Sequence, residues 1–216
     1  MADFRLPNGA TLAIATGLGA SKAISAFSNA NPGVMTLESS HGIVEHDLFV
    51  MNNGWSRSNG RVFKAGSPST NDIPVVGLNT TSTSLYSAGS GTGTIQEITG
   101  WQQIIGVLNF VSDGGEQQYT TVQELEAEDQ TRLPTSRSPQ GLSITVGDDT
   151  SQGWYAYALA ASDSGDKIPL RLTLKNGNII LYNGILTLDE TPTVQVNEVM
   201  ALRMTMSLQG RPVRYA

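Results

Sequence analysis

The chain has 216 residues, enough for one large all-β domain or two small ones with a buried core. Apolar residues make up 39% and charged residues only 15%; Gly, Ser, Thr, Asn and Gln fill the difference, which suits short strands joined by many turns and argues against disorder. A formal charge of −6 with 13 scattered Lys and Arg excludes the basic stripe of a tight nucleic-acid binder, and the absence of cysteine excludes disulfides and thiolate metal sites.

The start, MADFRLPNGATLAIATGLG, has no basic segment followed by an apolar run, and no stretch approaches the length of apolar residues that spans a membrane. The expectation is a chain made and folded in a cytoplasm, with no membrane partner. Alternation then predicts strands at Ala10–Thr16, Ile43–Met51, Arg61–Ala65, Ile73–Leu78, Gly106–Val111, Tyr119–Leu125 and Leu142–Val146. The segment from Tyr119 to Leu133 is ambiguous, because Val122 and Leu125 fit either period. Turns fall at Asn52-Asn53-Gly54, Ser58-Asn59-Gly60 and Asp113-Gly114-Gly115. Gly17–Ser40 and Ala127–Gly141 lack a strong period and read as two long loops, either mobile surface loops or loops that reach a neighbouring subunit.

One helix is predicted over about 151–162. Trp154, Tyr157, Ala158 and Ala161 share a face, Asp149 or Thr150 caps the start and Gly165 lies past the end. Leu170, Leu172 and Leu174 alternate with Arg171, Thr173 and Lys175 before Asn176-Gly177, the signature of a hairpin with a type I′ turn. The return strand runs Ile179 to Leu181, and Asn183-Gly184 suggests a bulge or second turn before Ile185–Leu188. Met200, Leu202, Met204, Met206 and Leu208 alternate with small or polar residues, so one face of a late strand is apolar and needs neighbours to cover it.

Catalytic and metal chemistry find little support. His41 and His46 stand beside Glu45 and Asp47, but that spacing on a strand puts the two rings on opposite faces. No Ser sits in a Gly-x-Ser-x-Gly elbow. Ala88–Thr94 is Gly-rich yet lacks the Gly-Lys-Ser/Thr ending and a following helix, so it reads as a flexible turn rather than a phosphate loop. Glu124, Glu126, Glu128 and Asp129 match no calcium loop and read as a solvated acidic segment. Trp55, Trp101 and Trp154 read as core anchors; the competing reading is a monomeric carbohydrate-binding β-sandwich module with exposed, coplanar aromatics.

Several segments, in order, resemble the tail tube (major tail) proteins of long, flexible-tailed bacteriophages. They are Val50–Phe63 with its Asn-Asn-Gly-Trp and Ser-Asn-Gly turns; Val76–Thr81 through Leu85-Tyr86 to Ile98–Trp101; Arg132–Thr135 with Arg137-Ser138-Pro139; and the hairpin Leu170–Leu188 with Asn197–Met200 and the ending Ser207–Tyr215. The resemblance implies an all-β fold, an antiparallel β-sandwich or partial barrel with one flanking α-helix and long inter-subunit loops. It also implies one tail-tube domain over 1–216, without the C-terminal immunoglobulin-like domain of some relatives. The implied role is structural and non-enzymatic, with no cofactor and no metal. Copies form six-membered rings, strands of neighbours join into an inner barrel, and stacked rings make a virion tail that is assembled in the host cytoplasm. Implied partners are further copies of the chain, a tape-measure protein, and tail terminator and tail-tip proteins, with double-stranded DNA passing through unbound.

The chain's charge fits such a conduit. A ring of six would carry a formal −36, six times −6, which favours passage of phosphates over their capture. Thr and Ser on one strand face would give a wet, weakly interacting wall. Arg171 and Arg203 do not suit a uniformly repulsive lumen and are expected at subunit or ring contacts, paired with acidic residues. Lys175, Thr205, Arg211 and Arg214 are grouped with them as candidate self-assembly residues.

Overall fold

The computed structural model describes residues 8–216. Fifteen strands and one helix follow in order: β1 (Thr11–Leu18), β2 (Lys22–Phe27), β3 (Val34–Leu37), β4 (Leu48–Asn53), β5 (Arg61–Lys64), β6 (Asp72–Pro74), β7 (Gly93–Ile104), β8 (Val107–Gly114), β9 (Gln117–Val122), β10 (Thr131–Arg137), β11 (Gln140–Gly147), α1 (Gly153–Ser164), β12 (Lys167–Thr173), β13 (Ile179–Thr193), β14 (Ala201–Leu208) and β15 (Val213–Tyr215). All pairings are antiparallel. Thirteen strands form one sheet with the path β6-β3-β2-β7-β1-β12-β13-β14-β11-β8; β4 and β5 branch from β7, β15 pairs with β13, and β9 and β10 pair only with each other.

The long sheet folds into a sandwich with two cores, because a sheet with apolar residues on both faces must cover both. Strand β7 passes between the halves: Gly93–Glu97 pairs with β2 and β4, and Ile98–Ile104 with β1. Strands β1 and β13 lie between the cores. Ile14 and Tyr182 belong to one core and their neighbours Ala15 and Leu181 to the other, as period two dictates. The first core gathers Phe27, Phe49, Trp55, Phe63 and Tyr215, and the second puts Trp154, Ala158 and Ala161 of α1 against Ile144, Leu186, Leu202 and Met204. No helix among the described residues is long and apolar enough to cross a membrane.

The predicted helix is present, with Gly165 in the left-handed conformation at its end (φ 66°). Its N-cap is Gln152, with no side-chain cap bond. Asp149 instead accepts hydrogen bonds from the Ser151 backbone and hydroxyl and from Gln152 Nε2, which hold its carboxyl below the usual range. Tyr157, predicted on the apolar face, is 39% exposed. The β14 alternation is also present, with Leu202, Met204 and Met206 buried and Leu208 half-buried; Met200 falls outside the strand and is exposed.

Several expectations need correction. Gly17–Ser40 is not a loop, for it carries β2 and β3, with Ile24, Met35 and Leu37 in the core. A register shift between Ile24 and Ala26 breaks the alternation that would have revealed β2. Ala127–Gly141 is likewise not a loop, because β10 pairs with β9. Strand β4 begins only at Leu48, since His46 adopts φ 76° and Asp47 caps a turn through the Val44 N–H. β6 stops at Pro74, before left-handed Gly77.

The β12–β13 turn is not type I′. Gly177 alone is left-handed; its N–H donates to Leu174 O and the Leu174 N–H to Asn178 O, so the turn is a type I turn closed by a glycine bulge. β13 runs through Asn183-Gly184 without a bulge. Gly184 is there because a Cβ would strike the Ser207 carbonyl oxygen of β14.

Candidate self-assembly surfaces

Strands β8, β11, β14 and the second half of β13 form a four-stranded wall with two unlike faces. Leu142, Ile144 and Val146 of β11, Leu202, Met204 and Met206 of β14, and Leu186 and Leu188 of β13 point into the second core. The residues between them must therefore take the other face. In register, one row there is Val111, Ser143, Thr205 and Thr187, and the next is Asn109, Thr145, Arg203 and Asp189. Arg203, Thr205, Ser207, Thr187 and Asp189 are exposed. The Arg203 Nε–H donates to Ser143 Oγ at 3.3 Å, although Asp189 stands directly opposite on β13. This face is a lattice of hydroxyls and amides with few charges.

Among the described residues both edges of the wall lack a strand partner. β8 pairs with β11 on one side and with no described strand on the other. β12 leaves β13 at Ile185, so the outer side of β13 from Leu186 onward meets no strand; the Leu188 N–H is taken by Ser162 Oγ. Unpaired edges of this kind are templates for another chain.

From the same wall projects an arm, the β9–β10 ribbon. All seven residues of β10 and all but the first of β9 are exposed. Its foot is a hinge where left-handed Gly114 (φ 73°) and Gly115 (φ 78°) face Ser138-Pro139. The Ser138 N–H donates to Glu116 O, and the Glu116 N–H donates to Ser138 Oγ. Beside the foot lies an open groove of about 520 Å³ whose lining includes Arg137, Pro139, Leu208, Arg211, Pro212 and Arg214. Arg61 fixes one wall. Its Nε–H donates to Arg211 O at 2.9 Å and its Nη2 to Pro212 O at 3.3 Å, while burial draws its pKa below the usual arginine value.

Among the described residues no three His, Cys, Asp or Glu side chains gather as a metal site. His41 Nδ1 accepts the Ile43 N–H and its Nε2–H donates to Thr70 O, so both ring nitrogens are used by backbone. Two of the tryptophans are core residues, Trp55 3% and Trp154 0% exposed, and Trp101 lies beneath the Arg171 guanidinium at 4.7 Å. The family model described as phage tail tube protein (TTP) matches residues 53–216, which includes the wall, the arm and the groove. The chain belongs to the phage tail tube protein family. Compared with curated proteins, the sequence finds no match.

A phage tail tube protein is a structural, non-enzymatic component of the virion tail that builds a tube from copies of itself. The structure brings the six candidate self-assembly residues into two pairs and two singletons. Arg203 and Thr205 share the polar face of the wall, and Arg211 and Arg214 share the groove. Arg171 belongs to neither: its guanidinium stacks on Trp101, its buried Nε has no partner, and burial lowers its pKa. Lys175 is exposed at the β12–β13 turn, away from both pairs in the sheet order. Sequence reasoning missed Arg137 and Arg61. The one available signal was the Gly-Gly at 114–115 and the Ser-Pro at 138–139, which mark the two sides of a hinge.

Proposed function

We propose that this tail tube protein forms stacked rings of six copies. The free edge of β8 in one copy would pair with the open half of β13 in the next, so that four strands from each copy close into one inner barrel. The single observation that carries this reading is the wall itself, which is apolar towards α1, polar on the other side and open at both edges. Closing a ring satisfies both edges at once. It also turns Ser143, Thr145, Thr187 and Thr205 towards the channel, together with Asp189 and with Arg203, which the sequence places instead at a subunit or ring contact, and leaves α1 outside.

Such a channel suits the passage of double-stranded DNA during genome ejection, because hydroxyls bind phosphate weakly and the ring is acidic overall. Before ejection the channel would enclose a tape-measure protein, and tail terminator and tail-tip proteins would close the two ends of the stack. Assembly would take place in the host cytoplasm. Purified protein at rising concentration, followed by sedimentation and negative-stain microscopy, is expected to show rings and hollow tubes. A species that stays monomeric at every concentration would refute the reading.

A further inference from the structure

We propose that the arginine groove at the foot of the arm receives the acidic tip of the arm of a neighbouring copy; this rests on the self-assembly reading above. The tip, Gln123 to Gln130, carries Glu124, Glu126, Glu128 and Asp129 and no cation. It is folded back by an Ala127 N–H···O Glu124 bond and a Gln130–Gln123 side-chain bond, and every residue in it is exposed, Leu125 completely. The groove gathers Arg137, Arg211 and Arg214, all exposed, and none forms an ion pair with a described residue. Asp113 and Glu116 stand at the hinge but leave these arginines unpaired. Four carboxylates and three guanidiniums are thus complementary in charge and free to meet.

Geometry decides between binding within one chain and between chains. The groove is at the foot of the arm, and the tip lies beyond the ladder from Gln117 to Val122, about 17 Å away at roughly 3.3 Å per residue. While the β9–β10 ladder holds, a tip cannot fold back into its own groove. Tip and groove are different surfaces of one molecule, so a copy that gives its tip to one neighbour keeps its groove for another. Such a contact can propagate as a closed ring or an open helical stack. Gly114 and Gly115, both left-handed, set the angle at which the arm leaves the wall. Opposite charge on tip and groove sets the register and rejects misplaced copies, for which like charges would face each other.

The test is charge reversal followed by tube assembly at near-physiological salt. Arg211→Glu with Arg214→Glu, and separately Glu124→Lys with Glu126→Lys, are each expected to raise the concentration needed for half-assembly by about tenfold or more. A chain carrying all four substitutions is expected to assemble at close to the wild-type concentration. Thermal melting of each monomer should be unchanged, since every altered residue is exposed. The tip variant provides an independent arm of the test, because β9 and β10 pair with no other described strand.

If wild-type protein forms no tubes, the self-assembly reading fails. If wild-type and both reversed variants assemble alike, this inference alone fails. Loss of assembly in both variants without recovery in the combined chain would overturn the pairing. So would a groove variant that assembles normally but loses retention on immobilised duplex DNA, which would make the groove a polyanion site.

Discussion

The body of the protein and its arm obey different rules. In the body each strand covers apolar side chains from one or both faces, and the two cores bury residues such as Trp154, Phe49, Met35 and Ile144 to 0% exposure. In the arm β10 buries nothing, and Tyr119, Val122, Leu125 and Leu133 stand in solvent. A two-stranded ribbon with no covered face is marginal on its own in water. The body therefore specifies the fold, whereas the arm has surface whose use depends on another molecule. A residue's weight in stability and its weight in assembly should separate along this line.

The sharpest break is expected from Trp154→Ala. It would empty the centre of the second core and cost about 3–5 kcal/mol, seen as a large loss in denaturant midpoint, with assembly lost because the fold is lost. Next comes Tyr215→Phe. The Tyr215 hydroxyl donates to Val76 O at 3.1 Å and accepts the Lys64 N–H at 3.0 Å, joining the C-terminal strand to the first core. Removing it should cost about 1–3 kcal/mol in the same assay.

Burial pushes the Tyr215 phenol up to about 12 from 10.0, so the folded state prefers the neutral form. Its stabilising share is fully present below pH 10 and should fade between pH 10 and about 12, so a pH series of melting curves should show a smaller loss in Tyr215→Phe than in the wild type, the remainder coming from Tyr155 and Tyr182, whose phenols are also pushed up. Lys22→Ala removes the Lys22–Glu97 ion pair, at 3.2 Å and partly exposed, and should move stability by less than ~1 kcal/mol. Replacing the arm, residues 117–137, by a short Gly-Ser turn should leave the unfolding midpoint of the body least changed, within about 0.5 kcal/mol, yet abolish tubes. A body that unfolds without its arm would erase the distinction.

Much of the body was legible because its strands announce two unlike faces. Leu202-Met204-Met206 against Arg203-Thr205-Ser207 gave both the strand and its two surfaces, and Leu170–Lys175 before Asn176-Gly177 gave the hairpin. β7 was invisible although it joins the two halves. Its glycines and glutamines hide the alternation, and Gly93 is required because a Cβ would meet the backbone of Asn52 on β4. β2 was hidden by its register shift and β10, the second strand of the arm, by having no buried face, so two segments without a period looked alike although one is core and the other is projecting ribbon. Deleting Gly17–Ser40, which reads from the sequence as a loop, would remove Ile24, Met35 and Leu37 from the first core. Of the candidate site, Arg203 with Thr205 could be read from alternation and Arg211 with Arg214 from proximity. Arg137 joins them only through the sheet order, which sets β11 beside β14 and so brings the hinge to the C-terminal segment.

A reconstruction of the assembled tube by electron cryo-microscopy tests the central claim most directly. It is expected to show β8 of each copy hydrogen-bonded to the open half of β13 in the next, with Ser143, Thr187 and Thr205 on the channel and α1 on the outside. A tube whose channel is lined by any other surface, or in which both edges of the wall remain unpaired, would contradict it.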